Sequence, residues 1–103
     1  METNKYYTSI EQAKILETIL PHESADMRYV PILAQEHHLH GFNKYETGQY
    51  EVEAEKYNGR GIPCWSIIAL LNVLDWPNDF HWNGSLLDAC YEMILMLHKK
   101  NLI

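Results

Sequence analysis

At 103 residues, 47% of them apolar and 12% aromatic, the chain has the length and composition of one packed domain and is too rich in core-forming residues to be disordered throughout. Eight Lys and Arg against 14 Asp and Glu give a net charge of −6, which disfavours DNA or RNA as a partner, because nucleic-acid binders need a dense basic face to displace phosphate counterions. The longest apolar runs, Ile67 to Leu71 and Met93 to Leu97, fall far short of the roughly 20 residues that cross a bilayer, and the first residues lack the basic start and apolar stretch of a signal peptide, so no membrane partner and a cytoplasmic location are expected.

In chain order, residues 1–7 are expected to be disordered, and the first clear element begins at Thr8 or Ser9. Thr8-Ser9-Ile10-Glu11 and Ser9-Ile10-Glu11-Gln12 both fit a capping box that satisfies the free amides of a helix start. Helix one then runs to Leu20, with Ile10, Ala13, Leu16 and Leu20 forming its apolar stripe, and Pro21 ends it. At the Ser24-Ala25-Asp26 corner, short polar side chains are expected to satisfy local amides and fix the chain reversal. Asp26 to Leu33 is rich in β-formers and reads as a strand, placed at an edge by Pro31, which cannot donate to a ladder.

Gln35 to Gly48 shows no sustained period and reads as a long loop. Over Gln49 to Tyr57, Tyr50, Val52 and Ala54 alternate with Glu51, Glu53 and Glu55, the pattern of a half-buried strand. A helix remains the rival there, since Tyr50, Ala54 and Tyr57 also match helical spacing. If the two strands pair, Arg28 lies opposite one of these glutamates. Asn58-Gly59-Arg60-Gly61 is a turn, and Ile62-Pro63-Cys64-Trp65-Ser66 opens a second helix over 63–74, apolar nearly all round. Phe80-His81-Trp82 is long enough for a short strand. Ser85 or Asn83 caps a last helix from Leu86 to Lys100, whose inner stripe is read as Leu86, Cys90, Met93 and Leu97 with Leu95 and Met96 overrunning it. The expected fold is a single α+β domain over 1–103, ordered α-β-β-α-(β)-α, with a small antiparallel sheet packed against three helices.

Three blocks carry a resemblance: Glu11-Gln12-Ala13 leading to Leu20-Pro21-His22-Glu23-Ser24-Ala25-Asp26-Met27, then Ile62-Pro63-Cys64-Trp65-Ser66 with Ala69-Leu70-Leu71, then Asp88-Ala89-Cys90 with Glu92-Met93-Ile94. Together they resemble an uncharacterised family of small proteins from gut bacteria, their prophages and their transferable elements. The resemblance implies an origin on a mobile element and no particular activity. Relatives tend to have a longer segment between the second and third blocks, where this chain has only Asp75 to Gly84.

Three kinds of chemistry have candidate residues in the chain. Cys64 near a helix start would be a nucleophile if free amides lowered its pKa, with a base drawn from His37, His38, His40 or His81; Cys64-Trp65 is similar to papain-like nucleophiles over those two residues only. Cys64 and Cys90 otherwise read as buried thiols within apolar patterns. His37, His38 and His40 are weak candidates for a metal site, because no second pair completes a tetrahedral set, and no cofactor is expected. Seven Tyr and three Trp favour a protein-binding surface, with Trp65, Trp76 and Trp82 as its candidate residues. The leading expectation is a non-enzymatic accessory or interaction domain that binds a protein partner or itself, ahead of a metal-binding module through the His37 to His40 loop and a cysteine-dependent enzyme using Cys64.

Overall fold

The computed structural model of the chain describes residues 6–38, 41–75 and 84–103. They form an α+β arrangement of three helices and one antiparallel sheet: α1 (Ile10–Leu16), β1 (Met27–His38), β2 (Gly41–Glu53), β3 (Ile62–Cys64), α2 (Ile67–Leu74) and α3 (Leu86–Lys99), with a single 3₁₀ turn at His22–Ser24. The sheet order is β2-β1-β3. β1 pairs with β2 from Arg28↔Glu53 to His38↔Gly41, whereas β3 pairs only with Met27 to Tyr29. The sheet's third strand thus comes from Ile62–Cys64. The strand expected at Phe80-His81-Trp82 lies outside the described residues.

Of the two candidate capping boxes the chain uses Ser9 and Gln12: the Gln12 amide donates to Ser9 Oγ at 3.1 Å and the Ser9 amide donates to Gln12 Oε1 at 3.0 Å. This choice releases Thr8 for another role. Its side chain is fully buried, and its backbone pairs with the chain just ahead of α2, the Thr8 amide donating to Trp65 O at 3.0 Å and the Ile67 amide to Tyr6 O at 3.0 Å. Thr8 Oγ1 accepts from the Trp65 amide at 3.2 Å and donates to Cys64 Sγ at 3.5 Å, while Thr8 O accepts from the Tyr29 hydroxyl at 2.6 Å. Tyr6 and Tyr7 are therefore held in place, Tyr7 in a bridge with Ser66, and the expectation of disorder up to residue 7 does not extend to them.

The second helix starts later than the sequence pattern suggests. Ile62-Pro63-Cys64 is extended and Ser66 is the cap, its Oγ accepting from the Ala69 amide at 3.2 Å. Asp26 holds that cap: its carboxylate accepts from the Ser66 amide at 2.9 Å and from the Ser66 hydroxyl. The Ser24-Ala25-Asp26 corner consequently binds a distant element where local amides were expected, since Ser24 Oγ also accepts from Trp65 Nε1 at 2.9 Å. α2 is less enclosed than its composition implies, with Ala69 and Leu70 buried but Ile68 70% exposed. On α3 the inner stripe is Leu87, Cys90 and Ile94; of the expected Leu86, Cys90, Met93 and Leu97 only Cys90 belongs to it, and the other three are partly buried. Gln12 Nε2 donates to Asp88 Oδ1 at 3.1 Å and ties α1 to α3.

α1 ends at Leu16, short of the expected Leu20, and the core joins Ala13 and Leu16 from it, Leu20 from the turn that follows, Tyr29 and Cys64 from the sheet, Trp65, Ala69 and Leu70 around α2, and Leu87, Cys90 and Ile94 from α3. All of the sheet's core residues come from the end of the sheet that β3 closes. Replacing Thr8 with Val keeps the volume but leaves the buried Trp65 amide without its side-chain acceptor, so Thr8→Val is expected to cost about 1–3 kcal/mol in denaturant unfolding. Gly61 has φ +84, and a Cβ there would fall 2.1 Å from Tyr29 O, whereas a Cβ at Gly59, φ +95, meets open space. Gly61→Ala is expected to destabilise clearly more than Gly59→Ala, for which about 1 kcal/mol of left-handed backbone strain is the whole cost; thermal midpoints of the two variants check this.

Candidate functional site

The described surface has one feature that the core does not require. Beyond Tyr29, β1 and β2 continue as a two-stranded arm with no third strand beside them among the described residues, and the described part of the molecule extends 63 Å along its longest axis against 29 and 21 Å across. Lys44 to Glu51 are all exposed on β2, as are Leu33, Gln35 and Glu36 on β1. Leu33 is 57% exposed and Tyr45 48%.

The root of the arm is clamped on the face away from the core. Arg28 donates to Glu53 Oε2 through Nε at 3.1 Å and Nη2 at 2.8 Å, to Glu55 Oε2 at 3.1 Å and to Asn58 Oδ1 at 2.7 Å. The guanidinium fork suits such a set of acceptors. This is the expected pairing of Arg28 with the glutamate face, and Glu53 and Glu55 are thereby ion-pair partners at the strand root. Further out, Ile32 faces the three residues Thr47 to Gln49, because the register shifts between Pro31 and Leu33. Thr47 Oγ1 donates to Ile32 O at 2.9 Å and accepts from the Gln49 amide at 3.2 Å, with Gly48 at φ +83 completing the bulge. Past the bulge the pairing is regular again, from Leu33↔Glu46 to His38↔Gly41.

The arm occupies the segment that read as a loop from Gln35 to Gly48, and the reason is physical. Alternation marks a strand only when one face is buried. Here both faces meet solvent, so no period appears. What signal there was lay in the β-formers Tyr45 and Thr47.

Of the expected interaction residues, Trp65 is wholly buried, its indole bonded to Ser24, and it belongs to the core instead of a surface. Trp76 and Trp82 lie outside the described residues, as do His40 and His81. His37 and His38 close β1 beside the hairpin connection. Among the described residues no three His, Cys, Asp or Glu side chains gather in a way that would hold a metal ion, and no helix is long and apolar enough to cross a membrane.

Cys64 sits on a strand ahead of the helix cap, not on the first turn of a helix. It is fully buried, and its Sγ donates to Thr8 O at 3.6 Å. Burial pushes its pKa up to about 11, against the weaker opposing effect of the hydrogen bond from Thr8, so the thiol is protonated at neutral pH and is not the activated nucleophile that a helix start would have made. Burial likewise raises Cys90. A shallow depression of about 340 Å³ beside Tyr29, lined by Tyr7, Ser9, Ile10, Glu11 and Tyr29, is mainly apolar, and the Tyr29 hydroxyl is already committed to Thr8 O. No family model, curated protein or solved structure matches this chain.

The thiol environment sets a pH dependence. Protonated Cys64 is favoured by the fold, so the stability linked to it is complete below the ordinary thiol pKa near 9 and is lost as pH rises toward 11. Thermal midpoints are expected to be flat for this group at neutral pH and to fall between pH 9 and 11, with a smaller fall in Cys64→Ser. In native protein at pH 7.5 both thiols are expected to resist iodoacetamide, and both are expected to react in denaturant.

Proposed function

We infer that the chain is a non-enzymatic accessory domain that binds protein through its hairpin arm. The observation that supports this most is the exposure of the arm on both faces beyond the point where β3 and the helices stop contacting the sheet. A two-stranded ribbon is only marginally stable in water by itself, and an open strand edge offers a row of amides and carbonyls to another extended chain. Strand addition at such an edge takes its affinity from main-chain hydrogen bonds and its selectivity from alternate side chains. Leu33, Tyr45 and Tyr50 supply the exposed apolar and amphipathic groups for that contact.

The free, buried Cys64 and Cys90 suit a reducing compartment, and we place the domain in the cytoplasm on that ground. Its origin on a prophage or transferable element follows the resemblance of the Ile62-Pro63-Cys64-Trp65-Ser66 and Asp88-Ala89-Cys90 blocks. With Trp65 buried and Trp76 and Trp82 outside the described residues, the arm is the surface this reading rests on.

Leu33→Asp combined with Tyr45→Ser changes two exposed positions, so its thermal midpoint is expected to stay close to that of the parent. Its association, measured by sedimentation velocity and by pull-down of a defined partner, is expected to be lost. Ile68→Asp, which changes a still more exposed apolar residue on α2, is expected to leave association intact. Loss by the α2 variant with retention by the arm variant would place the binding surface elsewhere.

A further inference from the structure

We propose that the arm's partner is a second copy of this chain, docked antiparallel along the free edge of β2 about a two-fold axis through Tyr45; this rests on the arm reading given above. β2 is an outer strand of the sheet along its whole length, so among the described residues no further strand pairs with its far edge. Two identical strands that pair antiparallel within one continuous sheet are related by a two-fold axis perpendicular to it. Such an axis preserves the sheet's faces, so every residue must meet one of its own parity, and the axis passes through a residue rather than between two. The regular outer segment runs from Gly41 to Glu46, before the bulge of Thr47 to Gln49, and this leaves few choices.

Among the three consecutive exposed side chains of that segment, Lys44, Tyr45 and Glu46, charge selects the one on the axis. With Lys44 on the axis the two copies of Lys44 would face each other, and with Glu46 on it the two glutamates would. With Tyr45 on the axis, Lys44 of each copy faces Glu46 of the other, making two opposite-charge pairs by symmetry. Lys44 and Glu46 share a face, because they stand opposite Gln35 and Leu33 two residues apart on β1, and Tyr45 points to the opposite face with Ala34. All of Lys44, Tyr45 and Glu46 are exposed, so none must leave another partner's contact to form these pairs. Directly opposed pairs lie within about 4.5–5.5 Å between Cβ atoms, which also brings the two tyrosine rings together at the axis. The bulge just after Glu46 bends the strand and ends the pairing, which fits a closed dimer better than an open ladder.

The test is the oligomeric state of the full chain by sedimentation equilibrium, with far-UV circular dichroism confirming the fold of each variant. A dimer is expected, with a dissociation constant that rises with ionic strength. Lys44→Glu and Glu46→Lys each turn two attractive pairs into two repulsive ones and are expected to weaken the dimer about tenfold. The double exchange Lys44→Glu with Glu46→Lys is expected to restore it, which no general damage to the arm would do. Tyr45→Cys, on the axis, is expected to form an intermolecular disulfide under mild oxidation, and Leu33→Cys, on the other strand, is not. A chain that stays monomeric, or a dimer indifferent to the Lys44→Glu change, overturns the proposal. In the second case, loss of the dimer in Leu33→Asp with Tyr45→Ser would leave the arm reading standing, while indifference to that variant as well would remove both.

Discussion

The fold hangs on a buried threonine. Thr8 lies at the point where the N-terminal segment, the end of β3 and the start of α2 meet, and it is the one fully buried polar side chain among the described residues. A buried hydroxyl is costly unless each of its valences is used. Thr8 uses its amide, hydroxyl and carbonyl on Trp65, Cys64 and Tyr29, so a group that would be a liability in an apolar core instead fixes the register of three segments. The neighbouring Asp26–Ser66 contact then orients α2, and Trp65 Nε1 finds its acceptor in Ser24. These contacts explain why the block around Cys64 and Trp65 is so distinctive in the sequence: its residues are there to be buried and satisfied.

Legibility followed burial. The class of fold, a helix cap at Thr8 or Ser9, the third helix and the Arg28 pairing were all readable, because each leaves a local signature such as a capping box, a 3.6-residue stripe or an alternation of apolar and acidic residues. The shift of the second helix from Pro63 to Ser66 was not, since proline suits the first turn of a helix and a short strand alike. Only the pairing of Cys64 with Met27 decides between them, and that contact is remote in sequence. The arm was illegible for the opposite reason. A ribbon with water on both faces imposes no alternation, and a segment that answers to no interior leaves no pattern to find.

The candidate site divided in the same way. Trp65 and Cys64 drew notice as rare residue types, and both proved to serve the interior. Lys44, Tyr45 and Glu46 drew none, because a lysine and a glutamate two apart read as an ordinary solvated stretch until a strand places them on one face. An exposed edge also carries a hazard of uncontrolled strand addition. The bulge at Thr47 to Gln49 limits it by leaving only a short regular edge, and Arg28 ties the start of β1 to Glu53 at the end of β2 and to Glu55 and Asn58 just after it.

That cluster has an evolutionary corollary. Because Arg28 anchors the arm from the solvent side, and because no described side chain between Tyr29 and Val52 belongs to the core or its packed fringe, substitutions at those positions do not have to be reconciled with the interior. The tip is free to drift under selection by whatever it touches while the body is held constant by Thr8 and its neighbours. Related chains should then differ most between Ile32 and Gln49 and least around Ser66, and the arm should be transplantable onto another sheet that supplies an arginine and a glutamate at its root.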